Sequence, residues 1–110
     1  MNEKYTVIYS PEALDDIRKI YSYIAFELKA PGTAKNQTDR IRNFIRSLDF
    51  MPMRHPIVEW EPWKSMKMHK APVNKYVVYY IVNEDQSTVT IIRIFYGGRD
   101  VQNIIDTDSE

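Results

Sequence analysis

The sequence predicts an α+β domain in the order β-α-α-β-β-β, a helical hairpin packed on a largely antiparallel four-stranded sheet. Three observations carry this expectation. A β-branched and aromatic run, Tyr5-Thr6-Val7-Ile8-Tyr9, opens the chain. Two stretches with helical apolar spacing follow, split by Ala30-Pro31-Gly32, and the C-terminal half holds three strand-like segments separated by short polar turns. A chain of 110 residues has room for one such domain, and at that size a core needs no disulfides to hold it.

Tyr5 to Tyr9 reads as a strand because its residue types suit a pleated, half-buried surface. Ser10-Pro11 then marks a helix start, with Ser10 as N-cap and Pro11 in the first turn, where a missing N–H costs nothing. Leu14, Ile17, Ile20, Tyr21, Ile24 and Leu28 recur at helical spacing, so the first helix is predicted to run to about Leu28. Thr33 is the predicted N-cap of a second helix with Ala34, Ile41, Phe44, Ile45 and Leu48 inward, ending at Phe50-Met51-Pro52. Two helices joined by so short a break fold back on each other. The stretch to Trp63 is irregular, with Pro52, Pro56 and Pro62, and Trp60 and Trp63 are read as capping the core. Strands are predicted at about Lys64 to Lys70, Lys75 to Val82 and Thr88 to Tyr96, the first from the alternation of Met66 and Met68 with polar neighbours. Residues 1–105 form the predicted domain, and Asp106-Thr107-Asp108-Ser109-Glu110 a short acidic tail without order.

Composition excludes several function classes. There is no cysteine, which removes disulfide frameworks, thiolate metal sites and cysteine nucleophiles. Only three glycines are present, with neither a GxGxxG nor a GxxxxGK[ST] pattern, so no phosphate loop is expected. His55 and His69, the only histidines, have no metal-ligand spacing, and no serine sits in a GxSxG elbow. No metal and no cofactor are expected. The N-terminus lacks a basic region followed by an apolar stretch, and the longest apolar run, Tyr76 to Val82, is too short for a bilayer. A cytoplasmic protein without membrane association is expected.

Fifteen basic and fifteen acidic residues give a formal net charge of zero, which argues against bulk electrostatic binding of nucleic acid. The zero is a sum of opposites. From Lys29 to Lys70, nine basic residues face four acidic ones; from Ala71 on, three face six. Within the basic region Lys35, Asp39, Arg42 and Arg46 form a stripe on the second helix, read as a solvated face or as a partner-binding one. Lys67, His69 and Lys70 share the next strand, Arg93 lies in the last, and Arg99 just follows it. Such groups can neutralise phosphates, and a histidine beside them can move protons in RNA cleavage. The lysines can equally be edge-strand charges that oppose aggregation. Arg93, set among Ile91, Ile92, Ile94 and Phe95, must be paired or at a functional face, with Asp100 as one available partner or a turn residue.

The chain resembles the RelE/ParE superfamily of type II toxin–antitoxin toxins over about Tyr5 to Ile105. The resemblance rests on the opening strand entering Ser10-Pro11-Glu12-Ala13-Leu14-Asp15-Asp16-Ile17, on Tyr21-Ser22-Tyr23-Ile24, and on the Ile41 to Leu48 helix ending near Pro52. It continues through Tyr76-Val77-Val78-Tyr79-Tyr80-Ile81-Val82 and Val89 to Asp100. It implies a growth-inhibiting toxin, a cognate antitoxin as partner in a hetero-oligomer, and one of two targets: DNA gyrase, or the ribosome with its mRNA. For the ribosome-dependent branch the implied catalytic positions are Lys67, Lys70 and Arg99, with His69 as a further candidate. An arginine after Tyr76 is replaced by Val77, and a late tyrosine by Ile104 or Ile105. These replacements, the helical hairpin, the Gly98-Arg99-Asp100 ending and the zero net charge favour gyrase binding. Lys35, Arg42, Arg46, Arg93, Arg99 and Asp100 are then the candidates for contact with target or antitoxin. A ribosome-dependent endoribonuclease is the alternative, and an inactive interaction domain on the same scaffold the second alternative.

Overall fold

The opening run is strand β1, Thr6–Tyr9, and Ser10 turns the chain directly into helix α1, Pro11–Ser22, in a computed structural model that describes residues 4–108. Ser10 is the N-cap, its hydroxyl accepting the Ala13 amide at 3.0 Å with Pro11 in the first turn. The helix continues through a π-helical turn, Tyr23–Glu27, closed by the Leu28 amide on the Tyr23 carbonyl at 3.0 Å. It therefore ends where the apolar spacing ends. Helix α2, Pro31–Arg46, begins earlier than predicted: Ala30 precedes it, Pro31 fills the first turn, and Thr33 lies inside the helix rather than at its cap. Its pre-set φ makes proline the better starter here. A 3₁₀ turn, Ser47–Asp49, carries α2 to its expected stop.

The segment Lys64 to Lys70, predicted as a strand, is mostly turns, and strand β2 is His69–Val73. The amides of Lys64, Met66, Lys67 and Met68 bond carbonyls three to five residues back, on Trp60, Pro62, Lys64 and Trp63. Glu61 adds its carboxylate, accepting the Ser65 amide at 2.9 Å and hydroxyl at 2.7 Å, and Lys67 stands in the left-handed region at φ 56°. These local bonds outcompete a strand ladder. The two methionines accordingly part company, Met66 being 48% exposed and Met68 0%. Ala71-Pro72-Val73, predicted as loop, completes β2, because an edge strand tolerates a proline. The hairpin turn contracts to Asn74-Lys75, with Asn74 at φ 59°. Strands β3, Tyr76–Asn83, and β4, Thr88–Tyr96, lie where predicted.

The sheet order is β1-β4-β3-β2, with β1 parallel to β4 and the other neighbours antiparallel. A register shift pairs Tyr79 with Arg93 and Tyr80 with Ile91, leaving Ile92 as an extra residue. Ile91 and Ile94 can then both join the core under the hairpin, with Ala13, Ile17, Ile41, Ile45, Leu48, Val78, Tyr80 and Val89. Leu14, Tyr21 and Leu28 belong to the helical spacing but lie outward, at 39, 38 and 56% exposure; Ala13 and Asp16 are buried instead.

The sheet's second face is covered too, though by other means. Val58, Trp63 and Met68 from the irregular segment meet Tyr79 and Phe95 of the sheet and Val101 of a third helix, α3, Val101–Asp108. This helix was not predicted: Gln102, Asn103, Asp106 and Thr107 are indifferent helix formers, and the short segment is held by docking Val101, Ile104 and Ile105 onto the second core. It takes in the first three residues of the expected tail; Ser109 and Glu110 lie outside the described residues. Among the described residues no helix is long and apolar enough to cross a membrane.

Candidate functional site

The second face of the sheet is where β2, β3 and β4 bring sequence-distant groups side by side. Lys70, Tyr79 and Arg93 share one rung, and Pro72, Val77 and Phe95 the next but one. Tyr79 and Phe95 are buried at its centre, ring centroids 6.2 Å apart. Trp63 leans on Tyr79 at 4.9 Å and stacks on Trp60 at 4.9 Å, so the two tryptophans cap this core as their sequence context suggested. Burial pushes the Tyr79 phenol above its ordinary range. The surface is an aromatic plug rather than an open basic floor.

Two arginines bracket its rim. The Arg93 guanidinium lies 4.4 Å from the Phe95 ring centroid and that of Arg99 5.5 Å, both within cation–π range. Arg93 is also paired: Nε and Nη2 donate to the Asp16 carboxylate at 2.9 and 3.2 Å. Its partner is thus Asp16 of α1, a residue the sequence marked only as acidic and near a helix start. Asp100 takes the turn role, accepting the Asn103 amide at 3.3 Å at the head of α3. Arg99 remains solvent-exposed in the Gly97-Gly98-Arg99-Asp100 link.

The four residues suggested for RNA cleavage are not assembled. His69 is 6% exposed, stacks on Tyr80 at 5.1 Å and 12°, and bonds through Nδ1 to the His55 carbonyl at 2.7 Å. Because it pairs with Tyr80, it faces the hairpin, whereas Lys70 pairs with Tyr79 and faces the opposite side. Lys67 lies in the left-handed turn before β2, and Arg99 sits over Phe95 on β4, two strands or about 10 Å across the sheet from β2. His55 itself is held toward the neutral form, its imidazole lowered by burial first, then by Arg54 and His69.

The basic stripe of α2 lies elsewhere, on the outer face of the hairpin. Lys35 donates to Asp39 at 2.8 Å, and that bond holds the ammonium above its usual range. Arg46 donates to Asn43 at 3.1 Å. Arg42 stands beside a groove between the helices lined by Ile17, Arg18, Tyr21, Ser22 and Thr38. Arg18 and this groove were not singled out from sequence, since their proximity depends on how the hairpin closes. Arg42 and Arg46 also act on Tyr9, whose phenol burial raises and the two arginines lower.

A family model described as the ParE toxin of the type II toxin–antitoxin system, parDE, matches residues 7–101. No curated protein matches the chain. Among solved structures, the chromosomal ParDE system from P. aeruginosa superposes with a TM-score of 0.69 at 15% identity, covering 86% of this chain and 97% of that one. The RelBE2 toxin–antitoxin complex from Mycobacterium tuberculosis gives 0.62 at 20%, over 84% and 98%. The archaeal RelE–RelB complex from Pyrococcus horikoshii gives 0.61 at 17%, over 87% and 98%. At these identities the solved structures speak to the fold alone.

Proposed function

The chain belongs to the ParE toxin family of type II toxin–antitoxin systems, and from that premise we propose that it arrests growth by binding DNA gyrase rather than by cutting messenger RNA. It is the toxin component, and the toxin–antitoxin complexes among its structural neighbours support a cognate antitoxin as its partner.

One observation carries the choice of target. The sheet face opposite the hairpin is filled by Tyr79, Phe95, Trp63, Met68 and Val101, and the histidine available for proton transfer is turned to the other face and already bonded. Cleavage of an RNA strand needs an acid or base within hydrogen-bond reach of the 2′-hydroxyl and cations around the scissile phosphate. Val77 occupies the position where the ribosome-dependent branch is expected to carry arginine, and Ile104 and Ile105 dock α3 where that branch is expected to carry a tyrosine. A protein–protein contact makes no such chemical demand. Arg99, exposed on the link between β4 and α3, is the residue proposed to meet the target.

The test is a supercoiling assay with purified gyrase and relaxed plasmid. Added toxin blocks supercoiling, and Arg99→Glu weakens the block at least tenfold with unchanged thermal stability. Undiminished supercoiling at a large molar excess of folded toxin rejects the proposal.

A further inference from the structure

Strand β2 is an edge of the sheet, and the chain just before the tryptophans crosses its open side as a short strap. Pro52 and Val58 are buried at the two ends. Between them Met53, Arg54, Pro56 and Ile57 are exposed, and His55 alone is partly covered. Three contacts hold the strap down. The His55 carbonyl accepts Nδ1 of His69 at 2.7 Å, the Pro56 carbonyl accepts the Lys70 amide at 2.9 Å, and the His55 ring meets Phe44 of α2 with centroids 5.4 Å apart. Ile57 is thereby set antiparallel beside His69, as a one-residue extension of the sheet. Two residues beyond Lys70 on the same edge, Pro72 has no N–H to offer. The strap thus covers the place where this edge would present a donor.

His55 is also the weak point. Its Nε2 is the buried side-chain nitrogen or oxygen, among the described residues, that has no hydrogen-bond partner. A neutral imidazole tolerates this, because one of its nitrogens carries no proton. An imidazolium has a proton on both, so charging the ring leaves a buried N–H without an acceptor. The surroundings give the charge no relief. α2 presents the Phe44 ring, and Tyr80 of β3, stacked on His69, already donates its hydroxyl to the Pro52 carbonyl. The charges that act on His55 are Arg54 of the strap, held by the Phe50 and Met51 carbonyls, and His69 of β2. Burial first, then these two groups, keep the imidazole below its ordinary range.

We propose that Met53–Ile57 is an acid-released strap: protonation of His55 lifts it from β2 between the fixed points Pro52 and Val58, uncovering the strand edge at Lys70 and the Nδ1 of His69. Protonation of His69 itself does not break its bond, since Nδ1 donates in either charge state. The sign follows from where His55 binds its proton more readily. Released, the ring titrates near the ordinary histidine value of about 6.5; docked, it stays neutral to lower pH. The strap is therefore closed above that pH, and its opening constant rises by up to about tenfold for each pH unit below it.

The test follows amide hydrogen exchange of the full chain by NMR from about pH 7.5 to about pH 5, with each rate corrected for its intrinsic pH dependence. The Lys70 amide is expected to lose about tenfold in protection over that range, while core amides of β3 and β4 keep theirs. In His55→Phe the ring contact with Phe44 is retained and no proton is taken up, so Lys70 stays protected throughout. In His69→Phe the Lys70 amide is less protected at every pH and the pH dependence persists, which puts the titration on His55. Protection at Lys70 that does not change with pH, that falls equally in His55→Phe, or that falls in step with the core amides overturns the inference. Should His55→Phe fail to fold, the His55 ring signal of the parent chain decides: it is expected to titrate below the pH at which Lys70 begins to open. A ring that takes its proton at the ordinary histidine pH while Lys70 stays protected overturns the inference as well. Neither gyrase nor an antitoxin enters the measurement, so its outcome and that of the supercoiling assay are read separately.

Discussion

The carboxylate of Asp16 receives Nε of Arg93 at 2.9 Å and, through the same oxygen, the amide of Ile94 at 2.9 Å. The pair solves a problem of sheet length. Strand β1 accompanies β4 only from Thr88 to Ile91, and beyond that point β4 has an open edge. The first two turns of α1 take over where β1 stops: the Ser10 hydroxyl donates to the Ile92 carbonyl at 2.9 Å, and Asp16 accepts from Ile94. One helix start thus closes a sheet edge and neutralises an arginine in an otherwise apolar strand.

Asp16 is therefore expected to matter more for stability than any surface charge. Its side chain is 8% exposed and that of Arg93 21%. Asp16→Ala removes the carboxylate that pairs with Arg93 and accepts the Ile94 amide, and is expected to cost about 3 to 5 kcal/mol, the range for breaking one side of a buried pair. Asp16→Asn keeps an acceptor for the amide and loses the charge, costing about half as much. Urea denaturation of the two variants measures both, and equal midpoints for Asp16→Ala and the parent chain contradict this account.

Tyr80 predicts an alkaline limit. It is fully buried, its hydroxyl donates to the Pro52 carbonyl at 2.6 Å, and burial, slightly offset by Arg54, pushes its phenol up to about 12. An unfolded tyrosine releases its proton near pH ~10. Between those values the unfolded chain has lost a proton that the native chain keeps, so stability is intact below about pH 10 and falls as pH rises toward 12, by about 2 to 3 kcal/mol in all. Tyr9, Tyr76 and Tyr79 are raised in the same direction and add to the decline. In Tyr80→Phe the slope is shallower, and at neutral pH the lost hydrogen bond costs about 1 to 3 kcal/mol. Denaturation midpoints at several alkaline pH values check both parts.

His69→Phe separates a structural histidine from a chemical one. The phenyl ring retains the stack on Tyr80 and loses the bond to the His55 carbonyl. A loss of about 1 to 2 kcal/mol in stability is expected, with growth arrest on induced expression retained. Arrest abolished in a variant that still folds would give the imidazole a chemical role.

Trp63→Ala tests whether the second face is a core in its own right. Trp63 is 4% exposed between Trp60 and Tyr79, and truncation is expected to cost about 3 to 5 kcal/mol. The exciton signal of the stacked indoles in circular dichroism disappears with it. Proteolysis within α3 becomes faster, because Ile104 and Ile105 dock on the same cluster.

Most of the fold was legible in the sequence because its signals were local. Ser10-Pro11, the apolar spacing of α1 and α2, and the β-branched runs of β3 and β4 each report on their own neighbourhood. The failures share a cause. Met66 and Met68 alternate like a strand, but Glu61 and the turn bonds around Trp63 wind the segment; Pro72 reads as a breaker until β2 is known to be an edge. Helix α3 depends on a hydrophobic cluster assembled from distant residues, and the partner of Arg93, for which local order offered Asp100, is set by long-range closure as Asp16. The side of the sheet each candidate residue faces follows from strand register, which single residues do not announce.

The most direct measurement of the central claim is primer extension across a message translated in the presence of the purified toxin. A toxin that acts on a protein target leaves the message uncut at concentrations that stop supercoiling. Breaks within codons that vanish in Lys67→Ala, Lys70→Ala or Arg99→Ala would contradict it and place RNA chemistry on the sheet after all.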